Sequence, residues 1–372
     1  MLTRLHVRGY KALRDVSITF EPLTVIVGPN GCGKTSVLEA LATVRTYAAG
    51  GSQTSSITRH PFSEIVSGGP DQPEEIEITS WADPGPGKWE PSEIGVELRY
   101  LAGQQDAGLG SVVVRPLDPL VNPDALDAGF DGIRRLILGS DAVARSSYLP
   151  EPVPRMKDDG TGVATVLSWL QGERDDRFAE IEQRLRQFVP EVRRIRTRRV
   201  PIRALESADV KVGQDDDGND VFEKRSYQRE EIGHQVVIDY EHAQGVAAPH
   251  ASEGTLLLLG LLTAIHTSEA SVLLLDDIER GLHPKSQQQL VGYLQELTKQ
   301  GTQIIATSHS PYLLLHLEYE QVRAMTLDGA AGSRIGKLSE HPQFEQWKEE
   351  MTPSEFWTVF GEEWLRERTG RG

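Results

Sequence analysis

Residues 1–20 alternate between apolar and polar positions, with Leu2, Leu5 and Val7, then Val16, Ile18 and Phe20 on the apolar side. That rhythm predicts two short strands joined across the "GYKAL" of residues 9–13. Leu23 to Val27, "LTVIV", is a short apolar run that stops at Gly28, so it reads as a buried strand feeding a glycine-rich turn. From Ser36 to Val44 the spacing becomes helical, with Val37, Leu38, Leu41 and Val44 on one face. Gly50 and Gly51 are expected to end that helix, with a Ser/Thr-rich loop after them. Between residues 75 and 115, "EEIEIT", "GVELRYL" and "SVVVRPL" are strand segments, and their Gly-, Pro- and Asp-rich intervals suit antiparallel hairpins.

From Pro119 the pattern turns helical, in "GVATVLSWL" and in "RFAEIEQRLRQFV", which Pro190 stops. "VRRIRTRRVPIR" is a basic strand segment and "GQDDDGNDVFEK" an acidic turn or hairpin tip. A second α/β block starts near "QVVIDYE". It contains a helix after Gly254, a strand ending at Asp276, a helix from Pro284 that stops near Gly301, and the strand "TQIIATSH". Beyond His341 the character changes. "TPSE" at 352–355 is a capping box with proline at the first helical position, and three of the six tryptophans lie in this last stretch.

Composition narrows the classes. The 372 residues carry a net charge of −16, which repels nucleic acid on average, so a nucleic-acid contact needs a local patch. The densest basic stretch holds Arg193, Arg194, Arg196, Arg198 and Arg199. On a strand, Arg194, Arg196 and Arg198 share one face. That row can track a phosphate backbone or pair with acidic surface. The longest apolar run, Thr255 to Ile265, is too short to span a bilayer and reads as a buried helix. The first residues lack the apolar core of a signal peptide. Cys32, the one cysteine, excludes an internal disulfide and fits a reducing cytosol. The expectation is a soluble, cytoplasmic protein with no membrane partner.

Candidate chemistry sits at strand ends. "GPNGCGKT", Gly28 to Thr35, matches G-x-x-x-x-G-K-[ST] in the context of a strand before it and a helix after it. Its glycines let successive backbone N–H groups wrap phosphates, and the helix adds its positive N-terminus. The cofactor-binding set is Asn30, Gly31, Cys32, Gly33, Lys34, Thr35 and Ser36. Lys34 reaches the β- and γ-phosphates of ATP and the Thr35 hydroxyl ligates Mg2+. Cys32 is a small residue at a variable position; alternatively, its N–H-rich, lysine-flanked setting lowers the thiol pKa. "VLLLDD" ends in two carboxylates. Asp276 would hold the Mg2+ shell, and Asp277 would act as a base or orient water at the γ-phosphate. The alternative for Asp277 is a cap for the next turn, and Glu279 is a nearby substitute carboxylate. His309 in "TSHSP" can hydrogen-bond the γ-phosphate and sense its loss. "ASEGT" offers Ser252 and Gly254 at a helix start, as a phosphate grip or as a plain N-cap.

Together, "VRGYKALRDVSITFEPLTVIVGPNG", "GPNGCGKTS", "ASEGT", "LLLDDIERGLHP" and "ATSHSP" resemble the ABC-type ATPases of the SMC/RecF/OLD group. Within that group they look like the stand-alone AAA ATPases of bacterial defence and DNA-maintenance operons. The resemblance covers residues 1–50 and 236–315 and leaves the tail uncovered. It implies an α/β fold, a P-loop NTPase head with a central, mostly parallel sheet plus an antiparallel β-subdomain. The head would comprise residues 1–118 and 234–336, with an inserted α/β arm at 119–233 and a short helical tail at 337–372. It further implies a homodimer with two ATPs, each with Mg2+, sandwiched between heads. Ser252 and Gly254 of one protomer would close on the γ-phosphate held by Gly33, Lys34 and Thr35 of the other. Lys34, Asp277 and His309 would form the catalytic set for slow ATP hydrolysis, with Thr35 and Asp276 as metal ligands. Hydrolysis would switch a partner protein, commonly a nuclease, or a contact with DNA. With so short a stretch after the head, the TOPRIM nuclease of OLD proteins is not expected here.

Three departures bear on activity. The family places glutamate where this chain has Asp277, and the shorter side chain draws the carboxylate back by about one C–C bond, roughly 1.5 Å. Misplacement on that scale costs on the order of a hundredfold in rate. The signature reads "SEG" in place of "SGGQ", and no Q-loop glutamine is placed, Gln53 being a candidate by position alone. The competing readings are a RecF-like DNA-binding repair clamp, an ATP-binding switch with negligible hydrolysis, and a small-molecule kinase. The kinase explains neither "ASEGT" nor "TSHSP".

Overall fold

Parallel strands buried on both faces read as near-continuous apolar runs, and three buried parallel strands, "LTVIV", "VLLL" and "QIIATS", carry the central sheet of one unit of this protein. The computed structural model describes residues 1–48, 62–68, 75–84, 93–101, 111–118, 121, 123–214 and 220–367. The described strands are β1 (Leu2–Tyr10), β2 (Leu13–Thr19), β3 (Leu23–Val27), β4 (Glu75–Ala82), β5 (Ile94–Leu101), β6 (Ser111–Pro116) and β7 (Ile133–Leu136). They continue with β8 (Val192–Gln214), β9 (Asp220–Tyr240), β10 (Val246–Ala247), β11 (Val272–Leu275), β12 (Gln303–Ser308), β13 (Val322–Asp328) and β14 (Gly332–Lys337). The chain divides into two compact units, one formed by Met1–Ile137 with Glu269–Gly372, the other by Leu138–Ser268.

In the first unit the central sheet runs β14-β13-β3-β12-β11-β7. β13, β3, β12, β11 and β7 are parallel, and β14 closes one edge antiparallel to β13. Every residue of β3, β11 and β12 is buried. Because β11, β12 and β3 are adjacent and parallel, the segments that follow them emerge side by side, at the carboxyl end where open α/β sheets place ligands. A second, antiparallel sheet has the order β2-β1-β4-β5-β6. The strand pair expected across residues 9–13 forms there, with Tyr10 opposite Leu13 and Lys11 in the turn at φ 50°. The helix Lys34–Ala48 buries Val37, Leu38, Ala40, Leu41 and Val44 in a core shared with Leu5, Val7, Ile78 and Val96. The expected helix stop at Gly50 and Gly51, and Gln53, lie outside the described residues.

The end of the chain folds onto this unit. Thr352 and Glu355 form the capping box read from "TPSE", with Glu355 N donating to Thr352 Oγ1 (3.3 Å) and Thr352 N to Glu355 Oε2 (2.8 Å). Phe356 and Trp364 are buried, and the Phe356 ring stands 5.6 Å from that of Tyr319. The Tyr319 hydroxyl donates to Met351 O (2.7 Å).

In the second unit, helices Val163–Glu173, Asp176–Phe188 and Glu253–Thr267 accompany a long hairpin of β8 and β9, which pair from Val192–Tyr240 to Gln214–Asp220. Residues 215–219, in the acidic segment, lie outside the described residues. The helix Glu253–Thr267 buries Leu256, Leu258, Leu259, Leu261 and Leu262, as an all-round apolar helix must. No helix among the described residues is long and apolar enough to cross a membrane.

Candidate functional site

The loop after β3 is shaped by backbone geometry. Gly28 sits at φ 151°, and a Cβ there would fall 1.9 Å from the Met325 carbonyl oxygen, so only glycine lets β3 pass β13 this closely. Gly33, at φ 101°, would meet Ser333 Oγ at 2.9 Å. Ser333, on β14, donates from Oγ to the Cys32 carbonyl (2.6 Å) and so fastens the loop from below. Asn30, Gly31 and Thr35 are exposed at the rim, while Cys32, Lys34 and Ser36 are buried. Lys34 folds back over the loop, and its Nζ donates to Gly28 O (2.9 Å) and Pro29 O (3.0 Å). The first turn of helix Lys34–Ala48 starts at the same loop, and the N–H groups of a helix start are suited to anions. Burial pushes the Cys32 thiol pKa up, against a smaller opposing pull from Lys34. Burial thus runs against the lowered-pKa reading of Cys32, whose side chain is enclosed in the core.

The two carboxylates after β11 take separate paths. Asp276 Oδ1 accepts from Thr307 Oγ1 (2.6 Å) and from Thr35 Oγ1 (3.2 Å), which joins the ends of β11 and β12 to the start of the helix after β3. Oδ2 of the same carboxylate lies 3.7 Å from Arg135 Nη2. Asp277 stands in the left-handed region at φ 45°, with its N–H donated to Thr307 Oγ1 (2.9 Å). Its half-exposed carboxylate is 3.6 Å from His309 Nε2. His309 follows β12, and its backbone N–H donates to Glu279 Oε1 (2.5 Å). Glu279 therefore faces the histidine's backbone, and its Oε2 is buried without a partner among the described residues.

This donor set fits a magnesium nucleotide. Thr35 and Asp276 offer two hard oxygens in contact with each other, beside a loop of N–H donors and a buried ammonium. Mg2+ characteristically keeps several waters and takes its other ligands from one or two carboxylates and phosphate oxygens.

Ser252 and Gly254 belong to the second unit. There Ser252 is the N-cap of helix Glu253–Thr267, its Oγ accepting from Thr255 N (3.2 Å). The arginine row of β8 is largely engaged. Arg196 pairs with Asp239 (2.6 Å), Arg193 with Glu241 (2.6 Å), and Arg198 Nε donates to Gln235 Oε1 (2.9 Å). Of the two readings of that patch, pairing with acidic surface is what Arg193 and Arg196 do.

Reading the motifs missed three participants: Thr307, Ser333 and Arg135. Thr307 lies inside the quoted "TSHSP" without a role assigned to it, and Arg135 left a trace as one of two arginines inside the short strand "IRRL", where a charge is out of place.

Comparison with known proteins matches residues 129–315 to the family described as "AAA domain, putative AbiEii toxin, Type IV TA system", and residues 1–76 to "AAA ATPase domain". An OLD nuclease of Thermus scotoductus is 51% identical over 41 residues, which are 11% of this chain and 8% of that protein. The chain thus matches only a small part of that relative's length. An SMC head bound to the C-winged helix domain of ScpA superposes with a TM-score of 0.55 at 15% identity, over 92% of this chain and 99% of that one. An SMC head with an extended coiled coil, bound to the C-terminal domain of ScpA derived from Pyrococcus furiosus, gives 0.54 at 14%, over 94% and 98%. At these identities the likeness is one of fold: an α/β head with a mostly parallel sheet together with antiparallel sheets.

Proposed function

The chain belongs to the AAA-domain family whose description links it to the AbiEii toxin of type IV toxin–antitoxin systems, and from that premise we propose a head that binds and hydrolyses ATP and, as a dimer around two ATPs, switches a partner protein. The observation that carries this reading is the meeting of Thr35, Asp276 and Thr307 at the ends of three neighbouring strands, directly beside the Lys34 ammonium.

The residues divide the work as follows. Backbone N–H groups of residues 30–36 and the Lys34 Nζ hold the β- and γ-phosphates. Thr35 Oγ1 and Asp276 hold Mg2+, which when bound neutralises charge on the phosphate oxygens. Asp277 Oδ1 accepts a hydrogen bond from the attacking water and takes its proton. His309 Nε2, close to Asp277, donates to the γ-phosphate side and registers its loss. Ser252 and Gly254 of a second protomer complete the site.

The partner reading draws on three supports. Heads of SMC fold bind ScpA domains, so this fold accepts a protein partner. The family description and the OLD nuclease match both point towards defence. Three arginines of β8, Arg193, Arg196 and Arg198, are held by two acids and a glutamine, which leaves less charge for gripping DNA directly.

Nucleotide affinity of the full chain, measured with a fluorescent ATP analogue beside Lys34→Ala, tests the site. Loss of the charge-assisted bonds from Lys34 should weaken binding on the order of a hundredfold. Equal affinity of the two proteins would overturn the assignment.

A further inference from the structure

Arg135 is a largely enclosed cation that no motif accounts for. It lies on β7, which pairs in parallel with β11 so that Arg135 is opposite Leu274. Side chains two apart along a strand share a face, so Leu274 and Asp276 project to the side that Arg135 occupies. Its side chain is only 10% exposed, and its guanidinium spans two carboxylates, 3.7 Å from Asp276 Oδ2 and 3.7 Å from Glu39 Oε1. Its Nε is buried without a hydrogen-bond partner among the described residues.

Glu39 belongs to the helix that follows the P-loop, and it is anchored in turn by the Tyr10 hydroxyl (2.7 Å) and Lys11 Nζ (2.6 Å). Burial alone would raise the Glu39 carboxyl, but the bonds from Lys11 and Tyr10, with the charges of Lys11 and Arg135, hold it below its ordinary value. The result is a line of alternating charge, Lys11, Glu39, Arg135, Asp276, that ties the P-loop helix to β7 and to the end of β11. A buried guanidinium with an unsatisfied nitrogen is costly to a fold. A tie made only for stability would be served as well by apolar side chains, so the cost calls for a role at one of the two carboxylates.

We propose that Arg135 is a positioning residue for Asp276. Thr35 and Thr307 both donate to Oδ1, and Arg135 faces Oδ2 from the other side. Together they set the rotation of the carboxylate, so that the same oxygen is always presented to Thr35. The inference rests on the ATP-site reading above and adds that the metal affinity of that site depends on a residue outside its motifs.

The test uses full-length protein, a fluorescent ATP analogue and a Mg2+ titration, with Arg135→Gln and Arg135→Lys. Loss of a group that orients a metal ligand typically weakens metal binding by about tenfold or more. For Arg135→Gln the Mg2+ concentration that half-saturates nucleotide binding should rise roughly tenfold, while analogue affinity in EDTA stays within about twofold of the parent's. Lysine keeps the charge but not the fork that faces two carboxylates at once, so Arg135→Lys should shift the same midpoint by a smaller factor, about threefold. If Arg135→Gln does not fold, the lysine variant decides alone. A Mg2+ titration that superposes on the parent's overturns the proposal, even if thermal stability falls, because a strut for the fold would move stability only. A lower Mg2+ requirement also overturns it, since Arg135 would then compete with the cation. A parent protein that binds no nucleotide would sink the ATP-site reading itself, and that outcome is visible before any variant is compared.

Discussion

At the scale of single residues, Asp277 has the most unusual backbone in the site. A non-glycine residue at φ 45° is uncommon, and aspartate and asparagine are among the few that accept it. The left-handed conformation costs a longer side chain roughly 1–2 kcal/mol. Here it coincides with a carboxylate left half-exposed beside His309. Asp277→Asn keeps the shape and the backbone preference and removes only the ability to take a proton. A general base contributes on the order of a hundredfold or more. Turnover should therefore fall by about that factor, with nucleotide affinity and melting temperature unchanged. Pre-steady-state phosphate release reads this, and undiminished release would make Asp277 a turn-former. Glu279 is no substitute base in this geometry, since one oxygen holds the His309 N–H and the other is enclosed.

At the scale of elements, the last helices show how a tail joins a core. His341 packs edge-on against Phe356 (5.1 Å) and Trp364 (5.3 Å), and beside Phe360 (5.1 Å). Burial lowers its pKa from the ordinary 6.5, against a smaller opposing effect of Glu367. Above the ordinary value both the packed and the released tail carry neutral imidazole, and the packing is at full strength. As pH falls below it, the released tail takes up a proton that the packed tail resists, so stability is lost toward acid. Tryptophan emission should shift to the red as pH falls below the ordinary value of 6.5 in the parent, through exposure of Trp357 and Trp364. His341→Phe keeps a ring and removes the charge, so its emission should stay flat. An identical response in both proteins would place the titrating group elsewhere.

At the scale of the whole molecule, the ATP-site reading makes the active site a property of two chains. Specific ATP turnover should then rise with protein concentration until dimers predominate, and Lys34→Ala should show no rise. The measurement is steady-state phosphate release over a wide concentration range. Specific activity that is constant throughout would mean a site complete in one protomer. The net charge of −16 fits this picture better than indiscriminate DNA binding, because it disfavours polyanions wherever basic residues are already paired.

What the sequence determined by itself was everything carried by neighbours along the chain. β3 and the glycine loop, the apolar face of helix Lys34–Ala48, the all-apolar helix Glu253–Thr267 and the "TPSE" cap follow from periodicity, backbone preference and contiguous motif, which near neighbours encode. The tertiary structure alone decided which strand ends meet, because parallel pairing joins segments hundreds of residues apart and leaves no local signal. It brought Thr307 and Thr35 to one oxygen of Asp276, set Ser333 beneath Cys32, and turned Glu279 toward the His309 backbone. It also gave Asp239 to Arg196, and placed Arg135 between carboxylates from two other elements. Such contacts depend on sheet order and on side-chain direction inside a packed core, and neither is written in the spacing of residues along one strand.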